Sequence, residues 1–405
     1  MAINRASQTQ VDGLPRSKPV RTRTRTRALA CLAAVAFALV ACANQGGGGG
    51  NQGKKSFEDY MNPQNAALYA PKDAQVFQPS PGPPTKGPMT GQTLTLRYSE
   101  ALPVQDGPIG DPNKTYHFCF SQGLANNPWS TAQQESVRIE AARHPNVDVT
   151  YTDTNDPSQQ VAQLQSCVSR KVDGILVFPH SVGPLTPAIK NICDAGIFVV
   201  GMERTVDTDC YNSWIFLDYL QGAKDIANKI GEDLKGKGVV VETQGTMGSS
   251  PQILRHEAFV ATMKTKYPGI TLHETSPGDF DQTKSYQAAL GFLQSPQAQK
   301  IDAWYAHLSE MGLGIRAAME QTGRTNIPIY TWGDDKATVD AIEKGVFVAA
   351  VPPTPMHGDL GLRVAIRHIQ NQDYPKSILL EQPALLTKDN AAEYGQTTWG
   401  SPPAK

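Results

Sequence analysis

The 405-residue chain lacks the local patterns on which most enzyme chemistry rests. It has no GxSxG elbow, no HExxH pair and no GxGxxG after a strand pattern, which argues against serine-hydrolase, zinc-protease and dinucleotide chemistry. No catalytic residue, metal or cofactor is therefore expected. The four cysteines beyond residue 112, Cys119, Cys167, Cys193 and Cys210, form no CxxC pair and no zinc-ligand spacing with histidines, so they do not read as zinc ligands. Charge of one sign is also missing. With 37 basic and 38 acidic side chains there is no basic excess, and no nucleic-acid partner is expected. Nor does the apolar run at 28–41 suffice to cross a bilayer, which takes roughly 20 helical residues.

What the first 41 residues do contain is seven basic side chains before position 28, a single acid at Asp12, and then almost only Ala, Leu, Val and Phe. A basic region followed by a short apolar one is the pattern of an export signal. It ends in "LVAC", with Cys42 before a run of glycines at 46–50. Those four residues resemble the lipobox of bacterial lipoproteins, which implies that Cys42 becomes the lipidated first residue. Buried acyl methylenes, at about 0.8 kcal/mol each, would then hold the chain on a membrane. Residues 42–112 are rich in Gly and Pro and read as a flexible tether, although 54–112 is long for one. Removal of residues 1–41 leaves 30 basic against 37 acidic side chains, a net charge of about −7.

From residue 115 short apolar runs alternate with longer amphipathic ones. "TYHFCFSQ", "VDVTYTD", "DGILVFP" and "IFVVGME" read as strands, separated by helices that include "WSTAQQESVRIEAARH" and "PSQQVAQLQSCVSRK". The pattern restarts at "SWIFLD" and runs to "VFVAAVP"; one more helix and the strand "SILLEQPALLT" follow. Apolar strands alternating with helices imply parallel sheets covered on both faces. The expected class is α/β, with two doubly wound parallel-sheet lobes. Open sheets of this kind bind ligands beyond the carboxyl ends of their strands, which places a cleft between the lobes.

Taken in order, "NNPW" (126–129), "DGILVFP", "GIFVVGMER", "GTMGSSPQILRHEAF", "PGDFDQTKSYQ" and "AHLSEMGLGIRAAM" resemble the ribose- and galactose-type periplasmic sugar-binding proteins of ABC importers. The resemblance covers about 115–387. It implies a clamshell of two lobes joined by three hinge strands, crossing near Asp218, near Pro352 and Pro353, and near Gln382. The implied lobes are 113–217 plus 354–378 and 218–353 plus 379–395. It also implies a monomer that captures a small sugar-like ligand and delivers it to an ABC transporter permease. Either a sensor that docks on a membrane receptor or a binder of a non-sugar solute would use the same clamshell.

On the matched positions the resemblance puts stacking aromatics at Trp129 and Phe280, one from each lobe. Arg204 and Arg255 are expected to donate to ligand oxygens from opposite lobes, with Glu203, Asn127, Ser121, His307 and Asp334 as further contacts. Three departures stand out: Leu308 and Ser309 in place of Asn-Asp, Gly333 in place of an Asp, and the Pro352–Pro353 pair in place of a Gln. A less hydroxylated or partly apolar ligand fits these changes, with Trp332 and Met356 as possible additional walls.

Four cysteines fall in the lobes, and three pairings are open. Cys193, at a helix end, and Cys210, on the approach to the next strand, are expected to pair. Cys119 and Cys167 are expected to stay free, because a strand-to-helix bridge needs Cα atoms within about 7 Å while layers pack near 10 Å.

Overall fold

The computed structural model describes residues 55–400. The export signal, Cys42 and the first part of the expected tether lie outside them.

Strands β1 (Gln75–Phe77), β2 (Pro84–Lys86) and β3 (Thr93–Thr95) precede the alternating region. The first lobe is built from β4 (Tyr116–Gln122), α1 (Pro128–Ala141), β5 (Val147–Asp153), α2 (Pro157–Ser169), β6 (Gly174–Phe178), α3 (Val182–Asp194), β7 (Phe198–Glu203) and β8 (Ser213–Leu217). Then come α4 (Tyr219–Asp233), β9 (Lys237–Thr243), α5 (Ser250–Lys266), β10 (Gly269–Glu274), α6 (Gln282–Leu293), β11 (Ala303–Ala306), α7 (Ser309–Thr322), β12 (Ile329–Trp332), α8 (Lys336–Glu343) and β13 (Phe347–Val351). The chain ends with α9 (Gly358–Ile369), β14 (Ser377–Leu380), β15 (Leu386–Thr387) and α10 (Ala391–Tyr394).

One sheet has seven strands in the order β1-β14-β8-β7-β6-β4-β5, and all its pairings are parallel. The other has six, β10-β9-β11-β12-β13-β15, with only β15 antiparallel. Every residue of β6, β7 and β8 is buried, as expected of central strands with helices on both faces. Helix starts follow their local chemistry. Asn127 and Asp156 each accept two backbone N–H bonds at the N-termini of α1 and α2, and each is followed by a proline that needs no N–H partner there. The chain passes between lobes after Leu217, at 352–357 and at 381–385.

Three expectations are corrected. From residue 55 the supposed tether is ordered: β1 extends the first sheet beside β14, and Leu68, Phe77, Leu94, Tyr98, Leu102 and Ile109 are buried. The segment cannot fold alone, but its spaced large side chains find burial on the lobes, at roughly 1.5–3 kcal/mol each. Second, Cys119 and Cys167 form a disulfide with Cα atoms 6.3 Å apart, alongside the Cys193–Cys210 bond. The layer spacing of about 10 Å separates mean planes; a Cα on the inner side of the helix lies about 2.3 Å nearer the sheet, and the pleat lifts alternate strand Cα atoms toward the helix, which together bring this pair within bridging distance. Third, "SILLEQPALLT" is two strands. Leu380 still pairs with Leu217 in the first sheet, so that lobe runs past 378, and the second sheet resumes only at Leu386.

Candidate functional site

The carboxyl ends of both sheets face one cleft, and side chains from both lobes close over it. Trp129 comes from the first turn of α1, and its indole N–H donates to the Pro353 carbonyl at the second crossover. Its ring lies 5.6 Å from that of Phe178, the last residue of β6. From the other lobe comes Phe280, held at φ 56°, a left-handed conformation that a bulky residue adopts only when its surroundings impose it. Gly245 makes room for it: a Cβ there would lie 2.0 Å from the Phe280 ring. With Leu124, Pro251 and Leu308 these groups line a narrow pocket, partly open to solvent, with a cavity volume of about 20 Å³.

Glu203, Arg204 and Arg255 are the charged residues of this lining, and all three are buried. Glu203 ends β7, also with positive φ (63°). The Arg204 guanidinium lies 4.6 Å from the Phe178 ring and donates to the carbonyls of Gly123 and His180. Arg255 projects from α5 between Trp332, at 4.1 Å, and Tyr219, at 4.7 Å, and donates to the His307 carbonyl. Both guanidinium carbons also face the same Phe280 ring, at 5.5 and 5.6 Å. Three atoms here have no hydrogen-bond partner in the protein: Glu203 Oε2, Arg204 Nε and Arg255 Nε. Burial pushes the Glu203 carboxyl up to about 7 even though both arginines oppose the shift. Burial likewise brings each arginine down to about 10.

The lobes touch directly around this space. Val182 N–H donates to the Gly248 carbonyl (2.9 Å), Thr205 N–H to Ser250 Oγ (2.8 Å), and the Asn127 amide to the Phe280 carbonyl (3.4 Å). These bonds define a closed clamshell. A second, polar opening adjoins the cavity, lined by Asn126, Asn127, Asn155, His180 and Asp279 among others, and shares Leu124 and Phe280 with it.

Of the nine residues expected at the site, Trp129, Glu203, Arg204, Arg255 and Phe280 meet in the cavity. Asn127 caps α1 and lies at the adjoining opening. The other three stand elsewhere. Ser121 is buried against α2 and accepts from Gln160. Asp334 accepts from the Trp399 indole and the Tyr394 hydroxyl, tying down the C-terminal segment. His307 sits one layer behind the cavity. Its Nδ1 accepts from Gly245 N–H, which fixes the proton on Nε2, where it is donated to Glu242 Oε1 at 2.8 Å. Burial raises the Glu242 carboxyl, but hydrogen bonds from His256 and His307 outweigh it and hold the group at about 2. Thus His307 positions both Arg255 and the turn that admits Phe280. Trp332 and Met356 are not cavity walls; Trp332 backs Arg255, and Met356 belongs to the core. Missed from the sequence were Phe178, Leu124, Pro251, Leu308 and Pro353. Phe178 had a signal, since it ends a strand of an open parallel sheet.

A family model described as "Periplasmic binding protein domain" matches residues 118–373. The chain is 25% identical to the xylitol-binding protein of Mycolicibacterium smegmatis, over 62% of this chain and 71% of that protein. It is 25% identical to the galactofuranose-binding protein YtfQ of Escherichia coli, over 68% and 88%. Among solved structures, a galactofuranose binding protein superposes with a TM-score of 0.66 at 24% identity, covering 70% of this chain and 98% of that one. The arabinose transporter's binding protein from Shewanella sp. ANA-3, bound to arabinofuranose, gives 0.64 at 24%, covering 69% and 95%. These likenesses establish the fold.

Proposed function

Since the chain belongs to the periplasmic binding protein domain family, we propose that it is an extracytoplasmic solute-binding protein. It captures a small, sugar-like ligand between its lobes and presents the closed form to the permease of an ABC importer. The observation that carries this reading is the convergence, from opposite lobes, of Trp129 and Phe280 as flat apolar faces and of Arg204 and Arg255 as buried donors. An aromatic plate packs against the C–H face of a sugar, and a guanidinium hydrogen-bonds the oxygens on its rim.

The relatives named above are binding proteins for xylitol and galactofuranose, which supports a polyol or sugar-like solute and binding without turnover. Acylation at Cys42 would keep the protein at the outer face of the membrane, near its permease, and it would work as a monomer. The mass of the processed N-terminus reads the acylation directly.

Titration calorimetry against sugars and polyols tests the site. Arg204→Ala is expected to lose several kcal/mol of affinity, because it leaves Glu203 buried without its nearest counter-charge. Unchanged affinity would remove Arg204 from the site.

A further inference from the structure

The cleft is rich in donors and poor in acceptors. Trp129 spends its N–H on Pro353, and Leu124, Phe178, Pro251, Phe280 and Leu308 offer no polar side-chain atom. What remains for a ligand is two guanidinium groups against a single carboxylate, Glu203, whose Oε2 lies 3.7 Å from Arg204 Nε. A neutral sugar presents every hydroxyl as both donor and acceptor, so it needs acceptors from its site. An ionised carboxylate accepts only, at two oxygens, and matches the planar fork of a guanidinium.

Charge points the same way. Two buried cations line the space and one carboxyl faces them. Glu242, the buried acid behind His307, is already committed to His256 and His307. In the adjoining opening Lys284 pairs with Asp279 at 2.8 Å, and the second acid there, Asp281, is engaged at the N-terminus of α6, where it accepts from the Lys284 N–H. A desolvated positive charge without a partner is costly, and a ligand that brings the missing anion offsets that cost. The shared position of both guanidinium groups beside the Phe280 ring lets one anion reach both lobes.

We propose that the cleft selects an anionic sugar-like ligand, one carrying a carboxylate as in an aldonic or uronic acid, over the corresponding neutral sugar. The proposal rests on the reading of the cleft as a solute site. The upward shift of Glu203 toward 7 supports it, because a carboxyl near half-ionisation at neutral pH leaves still more positive charge unbalanced.

The test is calorimetry on the full processed chain with matched pairs: D-galactose and D-galacturonate, D-xylose and D-xylonate, with xylitol as a further neutral probe. At least one acid is expected to bind at least tenfold tighter than its neutral partner, more so at low salt. In Arg255→Gln that ratio should collapse toward one while Glu203→Gln preserves or raises it. A neutral sugar that binds as tightly as its acid or tighter overturns the proposal and leaves the solute-binding reading standing. Absence of binding by every member of the panel overturns both. The wild-type ratio alone decides the matter if a variant does not fold.

Discussion

Glu203 and Phe280 face the same cavity, and both hold positive φ. For non-glycine residues such geometry costs on the order of 1–3 kcal/mol each, and it persists where neighbours impose it, commonly at ligand sites. At this scale the sequence was informative where a motif fixed the position along the chain. Trp129 follows a capped turn, and Arg204 stands just past a strand end. It was uninformative where side-chain direction decides the outcome. Ser121 is one residue from the end of β4, yet the pleat turns it under α2; Asp334 is beside the cleft in sequence, but its carboxylate is drawn to Trp399 and Tyr394. A residue-scale prediction concerns His357 at the second crossover, buried with Nδ1–H donated to the Thr354 carbonyl and Nε2 accepting from Gln133. Burial lowers it from 6.5 to about 4. Because the folded state prefers the neutral ring, this contribution is full above pH 6.5 and is lost as pH falls toward 4, amounting to about 3 kcal/mol. The difference in melting temperature between wild type and His357→Gln should therefore shrink over that window; a constant difference would contradict it.

Helices and strands were the most legible level, since the two periodicities and the caps agree with the packing. Burial on both faces made β6 and β7 plain as continuous apolar runs, and Asn127 and Asp156 marked helix starts. The exception, "SILLEQPALLT", looks like one strand because nothing local tells a chain that it is changing sheets. The turn holding Gly245 gives a sharp element-scale prediction. Gly245→Ala should push the Phe280 ring out of the cleft and weaken ligand binding at least tenfold with little loss of helix content by circular dichroism. Wild-type affinity in that variant would refute the packing described. The Cys119–Cys167 bond, closing a loop of 48 residues, should contribute about 4 kcal/mol by loop entropy. Cys167→Ser is expected to unfold at correspondingly lower denaturant, whereas an unchanged midpoint would show that the pair does not form.

At the scale of the molecule residues 55–112 act as a strap, not a leash. Its first described residues lie on the second lobe, where Asn65 donates to Glu257 and Lys224 sits 4.3 Å from the Phe57 ring. Its middle pairs with β14, Tyr98 donates to the Glu381 carbonyl at the third crossover, and Arg363 of α9 donates to the carbonyls of Ser99 and Leu102. Pro and Gly content hid this, because burial on an existing surface leaves no periodic signature. A chain beginning at residue 113 should lose several kcal/mol of stability, given roughly 1.5–3 kcal/mol for each large apolar side chain it uncovers or deletes. Chemical denaturation compares the two chains, and equal stability would return the segment to the status of a spacer.

The two-lobe geometry itself makes the strongest claim: ligand binding favours the closed form through contacts that only the closed form completes. Small-angle scattering of the chain, with and without a ligand that calorimetry shows to bind, measures this directly. The account predicts a smaller radius of gyration on saturation and a bound profile that matches the closed structure. Identical profiles in the presence and absence of a bound ligand would contradict it.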